Sequence, residues 1–266
     1  MTIAVTGATG FLGRAVLREL AHRGLAARCL VRPGATPPSD VVTIRGDLSD
    51  EQALASLVEG ADAVLHLAAL MGSMDARELE AVNVDGTRRL LAAATDAGVG
   101  RFVLISSVAA GRPEHGPYSL SKARAEDVVR ASTIDHVIVR PPVLIGPGCQ
   151  VERALKGLGR LPLVPVISGG ALLRPVQVDD AARSCVDAAT DPEARGTWTL
   201  AGDEVSFREL SRRTLRQLGS NARPVPLPGP LAMVMARVAE RVLPAPPLTV
   251  EGVRAVLAGS PPGGRV

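Results

Sequence analysis

Short apolar runs alternate along this chain with segments whose apolar residues recur at every third or fourth position. The runs at 3–6, 27–31, 41–44, 63–67, 102–105 and 137–139 are rich in Val, Ile and Leu. Their length and unbroken hydrophobicity predict strands of a parallel sheet buried on both faces. The intervening segments 12–23, 51–59, 77–97 and 119–131 carry helical spacing. Strands alternating with helices predict an α/β chain with a doubly wound parallel sheet. Beyond Gly146-Pro147-Gly148 the periodicity weakens, and Pro162, Pro165, Gly169 and Gly170 mark a loop-rich stretch. Helices are expected at 181–189, 207–218 and 231–242, with a proline-punctuated connection at 224–230. Thr249 is placed to cap a short helix through Val256. The tail at 260–264 is expected to be mobile. These signals divide the chain into a sheet domain, 1–145, and a small, mostly helical substrate lobe, 146–266, interleaved with the last strands.

Composition narrows the function classes. At 266 residues the chain accommodates one large α/β domain with a small appended lobe. A net charge of +3, scattered along the sequence, and 2% aromatic residues argue against a nucleic-acid surface. No signal peptide or long uncharged apolar run is visible, so a cytoplasmic protein without membrane contact is expected. Cys29, Cys149 and Cys185 are too far apart for a metal or redox motif and read as free thiols; no metal site is expected.

The chemistry begins at Thr6-Gly7-Ala8-Thr9-Gly10-Phe11-Leu12-Gly13, between the first strand and the first helix. Strand, glycine turn and helix form the context in which such a motif binds a dinucleotide. Gly7 permits the tight turn, Gly10 lets the backbone approach a pyrophosphate, and Gly13 lets helix and strand pack closely. The helix N-terminus offers free N–H groups to the phosphates. Arg32 stands at the end of the second strand with no carboxylate adjacent. A guanidinium there suits the 2′-phosphate of NADP rather than the ribose hydroxyl of NAD, and Arg14 is placed to assist. NADP is the expected cofactor, with NAD less favoured.

Further on, Ser106-Ser107 ends the fifth strand, and Tyr118 and Lys122 lie four apart on one helical face. Glycine loop, strand-end serine and Tyr-x-x-x-Lys together resemble the short-chain dehydrogenase/reductase superfamily. The glycine spacing, His66-Leu67-Ala68-Ala69, Asn83-Val84-Asp85-Gly86-Thr87, Arg140-Pro141-Pro142 and 175–180 look like its extended and atypical branches. The resemblance implies a Rossmann sheet and a catalytic trio of Ser107, Tyr118 and Lys122, with Ser106 as the alternative serine. Tyr118 would donate the proton to the developing alkoxide, and the Lys122 ammonium would lower the phenol's pKa. For the dinucleotide it implies Gly7, Thr9, Gly10, Phe11, Leu12, Leu67, Ala68, Ala69, Pro141 and Val143, besides Tyr118 and Lys122. It places Asp47 on the adenine amino group and Leu48 on the ring. Asp47 also reads as the cap of the helix beginning near Glu51. Asn83 would hydrogen-bond backbone near the site, while His66 reads as a satisfied core histidine.

Departures from the family pattern bear on the substrate. The Ser107–Tyr118 loop is short, the segment from Pro142 to Arg174 is modest, and Gln177 stands where the family usually has His. A sugar-nucleotide substrate is therefore disfavoured over a smaller or more apolar molecule. Arg174 reads either as a ligand for an anionic substrate group or as an ion-pair partner of Asp179 or Asp180. His115 reads as a solvated loop residue or a second polar group at the substrate. The helix at 231–242 covers the pocket or packs a subunit partner in a homodimer, its methionines reading as core. The leading expectation is an NADP-dependent reductase of a ketone or aldehyde on a small or medium organic molecule. Two alternatives stand beside it: an epimerase or dehydratase with tightly bound NAD, and a nucleotide-binding regulator or assembly factor without turnover.

Overall fold

The computed structural model describes residues 1–73, 75–112, 116–159, 161–242 and 248–265 of the chain. In chain order the first half runs β1 (Thr2–Thr6), α1 (Phe11–His22), β2 (Ala26–Val31), β3 (Val42–Arg45), α2 (Glu51–Val58) and β4 (Ala63–His66). It continues through α3 (Ala76–Leu79), a π-helical turn (Glu80–Asp85), α4 (Gly86–Asp96), β5 (Arg101–Ile105), α5 (Pro117–Arg130) and β6 (His136–Arg140). The second half adds β7 (Leu144–Ile145), α6 (Gln150–Leu158), β8 (Leu163–Ser168), β9 (Val176–Gln177), α7 (Val178–Thr190) and β10 (Gly196–Thr199). It ends with α8 (Phe207–Gln217), β11 (Arg223–Pro228), α9 (Gly229–Val242), α10 (Val250–Ala258) and β12 (Gly264–Arg265).

The main sheet has the order β12-β10-β6-β5-β4-β1-β2-β3, parallel except for β12. This is the doubly wound Rossmann arrangement that the strand–helix alternation predicts. Side chains alternate between its faces. Ile3, Val5, Val103 and Ile105 join α1 and α7 in one core, while Ala4, Phe102 and Leu104 join α2, α4 and α5 in the other. Strand order reverses between β1 and β4, so the crevice at their carboxyl ends is where such sheets bind ligands. No described helix is long and apolar enough to cross a membrane. Cys29, Cys149 and Cys185 are buried free thiols.

Several elements depart from the sequence reading. The single helix expected at 77–97 is interrupted by the π turn, where Asn83 reaches across to other segments, a placement typical of functional sites. The stretch at 162–170 contains β8, and the connection at 224–230 contains β11, paired in parallel with β8. Arg223 donates its N–H to Pro162 O, so alternate residues of β11 face β8 and Pro224, Pro226 and Pro228 take the other positions. A parallel pair needs N–H groups on one side only, and there the prolines cost no ladder bond. α9 buries Ala232 and Ala236 and packs Met233, half-buried, against the same core, but leaves Leu231, Val234, Met235 and Val238 exposed.

Candidate active site

The glycine loop is shaped by what surrounds it. Gly7 has φ +72, and a Cβ there would lie 2.6 Å from Ala68 N. A Cβ on Gly13 would lie 2.2 Å from Gly7 O, so α1 packs directly on the turn. Gly10, the N-cap of α1, faces open space apart from Gly7 O. No side chain caps α1 and no acidic residue occupies its first turn, whereas Asp50, Ser206 and Thr249 cap α2, α8 and α10. Uncapped N–H groups beside an open glycine fit a pyrophosphate. Thr9, Phe11 and Leu12 lie half-buried around this terminus.

Neighbouring strand ends complete the cradle. Leu67 and Ala68 follow β4 and donate backbone N–H groups to Thr6 O and Thr6 Oγ1. Leu67, Ala68 and Ala69 are half-buried. Arg32 lies exposed just beyond β2 and makes no side-chain hydrogen bond or ion pair among the described residues. Asp47 lies close enough to feel its charge and that of Arg89. Asp47 accepts from the Ser49 N–H at 2.7 Å and the Ser49 hydroxyl at 2.6 Å, which hold its carboxyl below the usual range. It does not cap α2; Asp50 does, accepting from Ala53 N. Arg89 donates to Leu48 O and fixes that segment. Beyond β6, Pro141 O accepts from Val108 N and Val143 O from Val176 N.

The second half of the site forms where β5 ends. Gly116 at φ +82 and Pro117 start α5, with Tyr118 in its first turn. The Ser107 hydroxyl lies on the side of the Tyr118 phenol, while the Ser106 hydroxyl is buried with no hydrogen-bond partner among the described residues. Lys122, one turn after Tyr118 and 2% exposed, donates from Nζ to Ile105 O at 2.7 Å. Burial lowers its pKa to about 8, opposed by Glu126. Burial and the negative charge of Glu251 push the Tyr118 phenol above its ordinary value, and the neighbouring Ser107 hydroxyl offsets them in part. The expected lowering by Lys122 is thus reversed here: desolvation dominates, and the ammonium is directed to the Ile105 carbonyl.

Other polar side chains hold this corner in place. Asn83 accepts from Leu70 N at 2.7 Å and donates to Leu70 O and Ser121 Oγ, tying the π turn to α5. His66 is a core histidine between Thr6 Oγ1 at 2.7 Å and Thr87 Oγ1 at 3.0 Å, its pKa lowered to about 3 by burial and the Lys122 charge. Glu126, fully buried, pairs with Arg140 and Arg130 and clamps α5 to β6. The Ser119 hydroxyl accepts from Arg112 N and shares its one proton between Ala109 O and Arg112 O, fastening the loop after β5.

Arg174 pairs with Glu204 and donates to Ser260 O; Asp179 and Asp180 pair instead with Arg18 and Arg183. His115 lies outside the described residues. Glu251, from α10, was not expected at the site. It accepts from Gly72 N at 3.3 Å, and its charge is felt at Tyr118, though more than a hundred residues separate them in sequence. A cleft of about 1100 Å³ between α6, α8 and the β10 edge, lined by Glu152, Trp198 and Arg213, includes neither Tyr118 nor the glycine loop.

Known proteins resemble this chain in sequence and fold. Residues 7–192 match a family described as NAD(P)H-binding. The ceramide reductase of Caulobacter vibrioides is 37% identical over 236 residues, covering 86% of this chain and 74% of that one. The 2-alkyl-3-oxoalkanoate reductase of Stenotrophomonas maltophilia is 32% identical over 257 residues, covering 83% and 76%. A short-chain dehydrogenase/reductase superfamily protein from Agrobacterium tumefaciens, solved with bound NAD, superimposes with TM-score 0.70 at 27% identity, covering 86% of each chain. The chain belongs to the NAD(P)H-binding family within the short-chain dehydrogenase/reductase superfamily, and it is an NAD(P)-dependent oxidoreductase.

Proposed function

We propose that this protein is an NADP-dependent reductase of a ketone or aldehyde on a small or medium organic molecule, with Tyr118 as proton donor. The observation that carries this reading is the Tyr118 phenol, set beside Ser107 one helical turn before the buried Lys122 and kept protonated by its buried setting. A protonated phenol is the form that donates to an alkoxide; a phenolate serves the reverse, oxidative direction. The uncapped α1 terminus, Gly10 and the backbone of 67–69 hold the pyrophosphate and ribose. Asp47 and Leu48 receive the adenine end, Pro141 and Val143 flank the nicotinamide, and Arg32 meets the 2′-phosphate. Bound NADPH supplies the hydride. Ser107 holds the carbonyl oxygen beside the phenol, Tyr118 delivers its proton to that oxygen, and Lys122 fixes the ribose side of the pocket. The two reductase relatives, named for ceramide and for 2-alkyl-3-oxoalkanoates, support a carbonyl on a chain of apolar character.

The test is oxidation of NADPH and of NADH over a panel of long-chain and short-chain ketones and aldehydes. Turnover with NADPH preferred is the expected result. Protein that purifies with tightly bound NAD and ignores added NADPH would replace this reading with an epimerase or dehydratase.

A further inference from the structure

α9 has two apolar faces. One, with Ala232 and Ala236, is buried with Val250, Val253 and Val256 of α10, Ile167 of β8 and Leu227 of β11. The other carries Leu231, Val234, Met235, Val238 and Val242, each between 44% and 69% exposed. At the helical repeat these five fall within an arc of about 100°, turned away from Ala232 and Ala236. Among the described residues the other helices together expose one large apolar side chain, Leu120 of α5. Single exposed apolar residues are ordinary, but a continuous stripe marks a contact surface.

Charge indicates what covers the stripe. Arg237 and Arg241, one turn apart and both exposed, run along one flank of it. Neither makes a hydrogen bond or ion pair among the described residues. Glu240, the one acidic residue of α9, is half-buried and accepts from Val250 N at 2.9 Å. The outer side of α9 is therefore apolar with a cationic border and no carboxylate. A second copy of the chain meets such a face poorly. α9 has 14 residues, so it is about 21 Å long and about 10 Å wide. The stripe offers on the order of a few hundred Å², against roughly 800 Å² per partner in a stable interface. Pairing two copies would also bring their arginines to a surface with no carboxylate to meet them. An anionic bilayer satisfies both features: acyl chains take the stripe, and lipid phosphates take the guanidinium groups. The net charge of +3 adds attraction of the same sign. No described helix is long and apolar enough to cross a membrane, and a helix lying in the interface plane need not be.

We propose that the outer face of α9 docks on anionic phospholipid bilayers, with the apolar stripe at the acyl boundary and Arg237 and Arg241 on the lipid phosphates. α10 touches α9 through its valines, and Gly72 and Gly116 through Glu251 and Arg254. Docking thus holds the Tyr118 corner one helix away from the lipid. The reductase reading is not needed for this surface.

The test is co-sedimentation of the full-length protein with phosphatidylcholine vesicles, with and without phosphatidylglycerol. Wild type should bind the anionic vesicles more strongly by about 10- to 30-fold, the range for two arginines at a charged surface. Val234→Glu with Val238→Glu, both at exposed positions, should abolish binding and leave the thermal unfolding temperature unchanged. Arg237→Gln with Arg241→Gln should weaken binding to the anionic vesicles by about 10- to 30-fold. Arg208→Gln with Arg216→Gln removes the same charge from the exposed side of α8 and should bind like wild type. An equal loss in that control would reduce the effect to net charge and overturn the proposal. So would unchanged binding by the double Glu variant, or equal binding of wild type to both kinds of vesicle. Sedimentation velocity reads the other occupant: a wild-type dimer that the Glu variant splits, without vesicle binding, would give the face to a second copy and overturn lipid docking. Should the Glu variant fail to fold, the arginine pair and its α8 control decide the matter.

Discussion

The glycine loop and the Tyr118 corner lie along the same carboxyl edge of the sheet but are built in opposite ways. The loop is one contiguous stretch after β1, and its working surface is backbone: uncapped N–H groups and positions where a Cβ has no room. The corner is assembled from side chains on separate segments, with Ser107 after β5, Tyr118 on α5, Asn83 on the π turn and Glu251 on α10. A backbone site is specified locally and depends on side chains being absent. A side-chain site takes its chemistry from tertiary packing, so a residue far away in sequence can retune it.

The largest expected effect lies at the corner. Tyr118→Phe removes one oxygen and leaves packing nearly intact, so turnover should fall by about 10²–10⁴-fold while NADPH affinity holds. Steady-state rates and a fluorescence titration check both halves; a retained rate would place the proton donor elsewhere. At the loop the pattern should invert. Gly10→Val keeps a permitted backbone, since φ is −74, yet fills the open face above Gly7. NADPH should bind roughly 100-fold more weakly, on the scale of lost charge-assisted hydrogen bonds, in a protein that still unfolds cooperatively. An unchanged Kd would refute the loop as pyrophosphate site.

Arg32→Ala sharpens the contrast within the cofactor half. Losing one charged hydrogen-bonding partner should weaken NADPH by about 10- to 100-fold and leave NADH almost unaffected. Parallel titrations decide it, because equal losses would make Arg32 a structural cation. The smallest effect belongs to Thr249→Ala, which removes the cap of α10 at a cost of about 1 kcal/mol. Thermal unfolding should register that loss. The KM for the ketone should rise with dinucleotide affinity unchanged, since α10 touches Gly72 and Gly116 near the Tyr118 corner.

Legibility in the sequence followed the same division. β1 through β6 and most of their helices, though not the π turn inside 77–97, were readable because a sheet buried on both faces demands short apolar runs, and the glycine motif because its spacing is local. The Tyr118–Lys122 pair was readable from one helical turn. Glu251 was not, since nothing near it in sequence points to Gly72 or Tyr118. The Tyr118 pKa direction was misread for a related reason: spacing puts Lys122 on the right face but says nothing of burial or of the Ile105 carbonyl that takes its ammonium. Arg174 has two acidic residues close in sequence, yet folding brings Glu204 to it instead. β11 was hidden because prolines argue against strands, and only the register with β8 reveals that they fall on alternate, outward positions.

Those prolines have a consequence for the molecule's behaviour in company. An edge strand normally offers a row of donors and acceptors on which another chain can add a strand, the first step towards aggregation. At Pro224, Pro226 and Pro228 the outward row of β11 has carbonyls but no N–H groups, so an incoming strand finds only half of a ladder. The edge therefore blocks its own extension, and replacing these prolines would open it to self-association without altering a single bond to β8.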